Sequence, residues 1–235
     1  MKVHTVAVGM VCKTPLAGRS KTRLSPPLTA EQCAALSACF IRDVAATIGS
    51  LGPDVTGYAV YTPTGTEAAL RELLPAAFRL LPQGDGDLGA RLIKATADLL
   101  GPGHTGAVLV NADSPTLPAG ILRAAVDTVP RGDNVVLGPA LDGGYTLVGL
   151  SKPHPEIFTG IPWSTAEVYR ATLERTRESA LAVINVPAWY DIDDLASLRV
   201  LQAELDGAPP PGAATVGGDA PATRRFLATL TRALS

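Results

Sequence analysis

Ala107-Val108-Leu109-Val110-Asn111-Ala112-Asp113-Ser114-Pro115-Thr116-Leu117-Pro118 (107–118) is the stretch that decides the fold. Its first half is a run of small and aliphatic residues without polar alternation, which predicts a central strand buried on both faces. Its second half is a proline-bounded turn carrying one carboxylate, Asp113, just past the strand. Working outward, Val3–Val11 predicts a second buried strand, and Val55–Tyr61, Arg79–Leu81, Val135–Leu137, Tyr145–Leu150 and Ala182–Val186 predict five more. Helices are expected over Ala30–Ile48, Glu67–Leu74, Leu88–Leu100, Ile121–Val129, Ser164–Ser179 and Leu195–Leu205. Thr29 with Gln32, and Ser164 with Glu167, have capping-box spacing. Strands alternating with helices imply βαβ units, so the fold expected is α/β, with a mostly parallel central sheet and helices on both faces.

The composition narrows the function. In 235 residues the hydrophobic fraction is 46% and the charged fraction 18%, which excludes a disordered chain. Aromatics at 5% and a net charge of −2 argue against a nucleic-acid partner. No apolar run reaches membrane-spanning length. Cys12, Cys33 and Cys39 have no metal-ligand spacing and are read as reduced thiols of a cytoplasmic protein. Residues 1–205 form the expected catalytic domain. Residues 206–235 form a Gly/Pro-rich linker around Pro209-Pro210-Pro211, then a terminal helix over Thr223–Leu234. That helix is expected to pack on the domain or on a second copy in a homodimer.

Charge is unevenly spread: no acid precedes Glu31, while Lys2, Lys13, Arg19, Lys21 and Arg23 all do. The loop Lys13–Leu24 follows the first strand, where an α/β sheet binds ligands, and offers Arg forks and Lys point charges to a phosphate-bearing small molecule. Its phosphate-binding candidates are Lys13, Gly18, Arg19, Lys21, Thr22 and Arg23. The spacing is not that of a P-loop. The alternative for this loop is a solvated basic turn.

Three further segments carry candidates. Asp113 suits a divalent cation with substrate phosphates as co-ligands, or else a strand-ending Asx-turn. Asp142-Gly143-Gly144 suits a tight hairpin, or a backbone that a ligand ring can approach. Asp191 and Asp193 alternate, so an extended segment puts both carboxylates on one side, about 6–7 Å apart at Cα, able to join Asp113 around metal. Asp193 or Asp194 would equally decorate a helix N-terminus. Ser164, if it opens a helix, lies beside free N–H groups suited to an anion. His4, His104 and His154 stand outside every motif.

Taken in order, Lys-Thr-Pro…Gly-Arg…Lys-Thr-Arg-Leu (13–24), Gln-Gly…Asp-Leu-Gly-Ala-Arg (83–91), Asp-Ser-Pro-Thr-Leu-Pro (113–118), Gly-Pro-Ala-Leu-Asp-Gly-Gly-Tyr (138–145), Trp-Ser-Thr (163–165) and Asp-Ile-Asp (191–193) resemble one poorly characterised bacterial family. Its members are labelled GT-A-type glycosyltransferases within the nucleotide-diphospho-sugar transferase superfamily. The resemblance runs from residue 3 to about 205. Asn111-Ala112 departs from it, since the family more often has Gly-Thr there. It implies the GT-A fold, a nucleotide-type substrate with a separate acceptor, and Mg²⁺ or Mn²⁺ held by Asp113. A more distant likeness, to the 2-phospholactate guanylyltransferases, implies Mg²⁺ on Asp113, Asp191 and Asp193 together. Lys21 and Asp113 are the catalytic candidates, and Asp142, Gly143, Gly144 and Ser164 the substrate-binding ones. The function expected is a metal-dependent glycosyltransferase using a nucleotide-diphospho-sugar. The alternatives are a nucleotidylyltransferase, joining a nucleoside triphosphate to a phosphorylated small molecule with release of pyrophosphate, and a non-catalytic nucleotide-binding module.

Overall fold

Seven strands make one sheet, and its order follows from which strands are apolar on both faces. The computed structural model describes residues 5–212 and 215–234, with only the backbone described over 231–234. Val3 and His4 of the expected first strand, and Ala213 and Ala214 of the expected linker, lie outside the described residues. The elements are β1 (Val6–Lys13), α1 (Ala30–Gly49), β2 (Val55–Thr62), α2 (Glu67–Arg71), β3 (Arg79–Pro82), α3 (Leu88–Leu100), β4 (Gly106–Asn111), α4 (Ala119–Thr128), β5 (Asn134–Pro139), β6 (Tyr145–Leu150), α5 (Val168–Glu178), β7 (Ala182–Asn185), α6 (Leu195–Leu205) and α7 (Pro221–Leu234). The strand order is β3-β2-β1-β4-β6-β5-β7. All neighbours are parallel except β6, which runs antiparallel to both β4 and β5. This is the mixed, mostly parallel α/β sheet that the sequence predicts.

Alternation along β1 divides the core. Val8, Met10 and Cys12 face the apolar layer of α1, α4, α6 and α7, while Ala7 faces that of α3 and α5. Thr29 and Gln32 form the expected capping box, and α1 then buries Leu36, Phe40, Val44 and Ile48 at a spacing of four. Because β6 is reversed, the carboxyl ends of β1, β2, β3 and β4 share one edge of the sheet with the end of β5 and the start of β6. The loops carrying Lys13–Leu24, Asp113 and Asp142–Gly144 leave from that edge, as does the segment after β7, which runs parallel to β5, whereas the Ser164 loop follows the opposite end of β6.

The expected helix start at Ser164 is corrected. Ser164 sits at φ 65, outside any helix, and α5 begins at Val168 without a side-chain cap. The Thr165 hydroxyl takes over locally, donating to Pro162 O at 2.8 Å and accepting from Glu167 N at 3.2 Å. Such side-chain turns compete with helix initiation. The helix expected over Glu67–Leu74 is also shorter, ending at Arg71.

Candidate functional site

The strand edge opens into a cavity of about 800 Å³. Of the thirteen candidates, Lys13, Arg19, Lys21, Thr22, Arg23, Asp113, Asp142, Gly144, Ser164, Asp191 and Asp193 line it. Gly18 and Gly143 are not on its wall: each holds a positive-φ turn, at φ 72 and φ 92. The wall also includes Gln83, Arg91, Tyr145 and Trp163, from the motifs at 83–91, 138–145 and 163–165 but outside the candidate set. Gln83 is buried, and its Nε2 donates to Cys12 O and Val60 O, both at 3.0 Å, tying the loop after β3 to β1 and β2. Among the described cations on the wall, Lys13, Arg19, Lys21, Arg23 and Arg91 all precede Asp113 in sequence, and all its acids follow.

The two acid-bearing loops meet through backbone. Trp189 N donates to Pro139 O at 3.0 Å, which lays the chain after β7 along the end of β5. Ile192 N then donates to Asp113 O at 2.9 Å, so Asp191 and Asp193 flank the residue that anchors them beside Asp113. Asp194 is sorted out of the site: it caps α6 in a box with Ser197. Asp193 instead faces the cavity.

Lys21 crosses the site. Its Nζ donates to Ile192 O at 2.5 Å, lies 2.8 Å from Asp113 Oδ1 and 3.2 Å from Asp193 Oδ1, and its side chain is 7% exposed. Burial by itself would lower the ammonium's pKa, but Asp113 and Asp193 overcome it and hold it above the usual lysine range. The basic loop is therefore partly neutralised by acids remote in sequence. Arg23 reaches Asp193 only at 3.9 Å and stays 72% exposed, a contact of little weight. Burial, and then the charges of Asp142, Asp193 and Asp113, push Asp191 up to about 7. Burial and Asp113 push the Cys12 thiol up to about 12, so it is no nucleophile at neutral pH.

Asp142-Gly143-Gly144 forms the hairpin between β5 and β6. Ala140 N donates to Gly144 O at 2.9 Å, and Gly144 N donates to Asp142 Oδ1 at 2.9 Å. A Cβ on Gly143 would meet Ala166 O at 2.2 Å, and Tyr169 N donates to Gly143 O at 2.9 Å. The hairpin is thus seated on the Trp163–Ala166 loop, which brings Asp142 and Ser164 to one cavity wall.

The donors fit a hard divalent cation. Asp113, Asp191 and Asp193 are all oxygen donors, the class that Mg²⁺ and Mn²⁺ take. Asn111 Oδ1 is buried with no hydrogen-bond partner, while Asn111 Nδ2 lies 3.5 Å from Asp191 Oδ2. A positive charge, the Lys21 ammonium, already stands between two of the carboxylates. Among the described residues, no group of three metal-ligating side chains is assembled.

Comparisons with known proteins place this fold. The chain superposes on the structure of a candidate nucleotide-diphospho-sugar transferase from Desulfovibrio desulfuricans G20 with a TM-score of 0.83 at 25% identity, covering 97% of this chain and 95% of that one. A cytidylyltransferase from Leptospira borgpetersenii matches at TM-score 0.54 and 10% identity, over 97% and 94% of the two chains. Glucosyl-3-phosphoglycerate synthase from Mycobacterium tuberculosis, solved with Mn²⁺, UDP and glucosyl-3-phosphoglycerate, matches at TM-score 0.50 and 13% identity, over 86% and 77%. These two likenesses are of fold. No curated protein matches the sequence. Residues 52–165 match the model of a family described as an uncharacterized protein conserved in bacteria (DUF2064). That span takes in the motifs at 83–91, 113–118, 138–145 and 163–165 and leaves the basic loop and Asp191–Asp193 outside. With the Desulfovibrio structure it bears out the resemblance the ordered motifs carry, to a poorly characterised bacterial family of the nucleotide-diphospho-sugar transferase kind.

Proposed function

We propose that the protein is a divalent-metal-dependent glycosyltransferase using a nucleotide-diphospho-sugar. One observation carries this reading: the basic loop after β1 and the carboxylates after β4 and β7 meet in one cavity, at the edge of the sheet where its parallel strands end. The donor's diphosphate would lie against Lys13, Arg19 and Arg23, whose charges complement it. Asp113, Asp191 and Asp193 would hold Mg²⁺ or Mn²⁺, which when bound neutralises the charge gathering on the leaving diphosphate. Asp142, Gly144 and Ser164 line the same cavity and would orient the acceptor.

The density of cations also suits a triphosphate, and that observation favours nucleotidylyl transfer as the second reading. A panel of nucleotide sugars and nucleoside triphosphates with Mn²⁺, monitored for nucleoside diphosphate against pyrophosphate, separates the two. Nucleoside diphosphate release is expected, and pyrophosphate release would transfer the assignment to the second reading. Asp113→Asn should lower turnover by roughly a hundredfold or more, as losing a charge-stabilising group does, with the thermal midpoint within a few degrees of the parent.

A further inference from the structure

The Lys21 ammonium has three N–H donors, and the protein uses all three: Ile192 O, Asp113 and Asp193. With its side chain 7% exposed, Lys21 as it stands has no donor left for a phosphate, although it sits in a loop whose other cations, Lys13, Arg19 and Arg23, are exposed. Its backbone is held in the left-handed region, φ 48 and ψ 41, at the start of the short turn Thr22–Leu24. That conformation is uncommon for a residue with a side chain. Here it aims the stem past the Phe40 ring, 5.8 Å from Nζ, into the gap between the acid-bearing loops.

A divalent cation binds carboxylate oxygens at about 2.0–2.6 Å. An ammonium 2.8 Å from the same Asp113 oxygen would face it at contact distance, so the two cations are alternatives. The lysine stem has four rotatable bonds, enough to move the ammonium while its backbone stays in place. We infer that Lys21 is the resident counter-cation of this site, holding Asp113 and Asp193 together until a divalent cation takes their oxygens and then swinging out toward the other cations of the basic loop. The inference rests on the proposed metal site, and it adds an exchange of cations that couples metal loading to the phosphate-binding loop.

The test needs no transfer activity. In the unaltered full chain, reductive methylation followed by peptide mass analysis reads the access of Lys21 with EDTA or with Mn²⁺ alone. Lys21 should be protected in EDTA and labelled several-fold faster with Mn²⁺, while an unchanged rate overturns the exchange. In Lys21→Met, Mn²⁺ binding followed by electron paramagnetic resonance without nucleotide should tighten roughly tenfold to a hundredfold, the worth of one charged hydrogen-bonded competitor. Equal or weaker binding by a folded Lys21→Met protein overturns it as well. Should that variant fail to fold, the labelling of the unaltered chain decides alone. Because both arms use Mn²⁺ without nucleotide, a failure of glycosyl transfer in the panel assay is distinguishable from a failure here.

Discussion

Asp191 is the residue at which burial and like charge act together. Its carboxyl is pushed up to about 7, first by burial and then by Asp142, Asp193 and Asp113, against an ordinary value of 3.8. A carboxyl whose folded pKa is raised binds its proton more tightly in the folded state. Its contribution to stability is complete below about pH 3.8 and is lost as the pH rises through 7. Metal-free protein should therefore lose stability between pH 4 and 7, and Asp191→Asn, which cannot ionise, should lose less. Thermal melts in EDTA at pH 5 and pH 8 check this: the melting advantage of Asp191→Asn over the parent should be larger at pH 8. An equal advantage at both would mean that Asp191 is ionised throughout. The position of Asp191 and Asp193 after a strand was legible in the sequence, and so was the ambiguity between Asp193 and Asp194. Which of the two caps α6 was settled by a backbone bond from Ile192 to Asp113, some eighty residues away, which no local pattern encodes.

At the scale of elements, the hairpin between β5 and β6 shows how a turn becomes part of a cavity wall. Gly143 takes φ 92 and leaves no room for a Cβ against Ala166 O. Gly143→Ala combines a strained backbone with a clash and should cost about 1–3 kcal/mol. At roughly 2–4 °C per kcal/mol for a chain of this size, that lowers the melting midpoint by about 2–12 °C. Nucleotide affinity, which the proposed function assigns to the basic loop, should change less than about threefold in isothermal titration. A large loss of affinity with an unchanged midpoint would show that the hairpin tip holds the nucleotide. The turn itself could be read from Asp-Gly-Gly. Its seating on the Trp163–Ala166 loop could not, and the same loop misled the expectation of a helix start at Ser164, because Thr165 offers its neighbours local hydrogen bonds.

Across the whole molecule, the C-terminal segment is tied to the same loops it follows in sequence. Asp43, buried in α1, accepts from Ala222 N at 2.9 Å and Thr223 N at 2.8 Å, capping α7 from another helix. Gly218 N donates to Thr116 O at 2.8 Å, just past Asp113. Thr116 Oγ1 in turn lies 3.4 Å from the Tyr190 hydroxyl, which donates to Glu204 of α6. The described residues of 206–220 are mostly exposed, yet Pro210 and Ala220 are buried. Asp43→Ala leaves two N–H groups at a helix start without their carboxylate, and should cost about 2–4 kcal/mol, or roughly 4–16 °C in the melting midpoint. Asp43→Asn, which keeps one acceptor oxygen, should fall between. Differential scanning calorimetry of both variants would show it, and parent-like midpoints would mean that α7 contributes nothing to the fold.

The alternation of strands and helices, the mostly parallel sheet and the order of the loops that line the cavity could all be read from local sequence. Those features rest on hydrophobic periodicity, capping residues and turn chemistry, which act over a few residues. The absence of acids near the basic loop was equally plain, but it said nothing about acids near it in space. That Lys21 is neutralised by Asp113 and Asp193, that Asp43 caps a helix 180 residues on, and that Ser164 opens no helix emerge only from the folded chain. Each of these is a contact between segments that the chain brings together only on folding. Its energy depends on distance and burial in the packed molecule, quantities that spacing along a sequence does not carry.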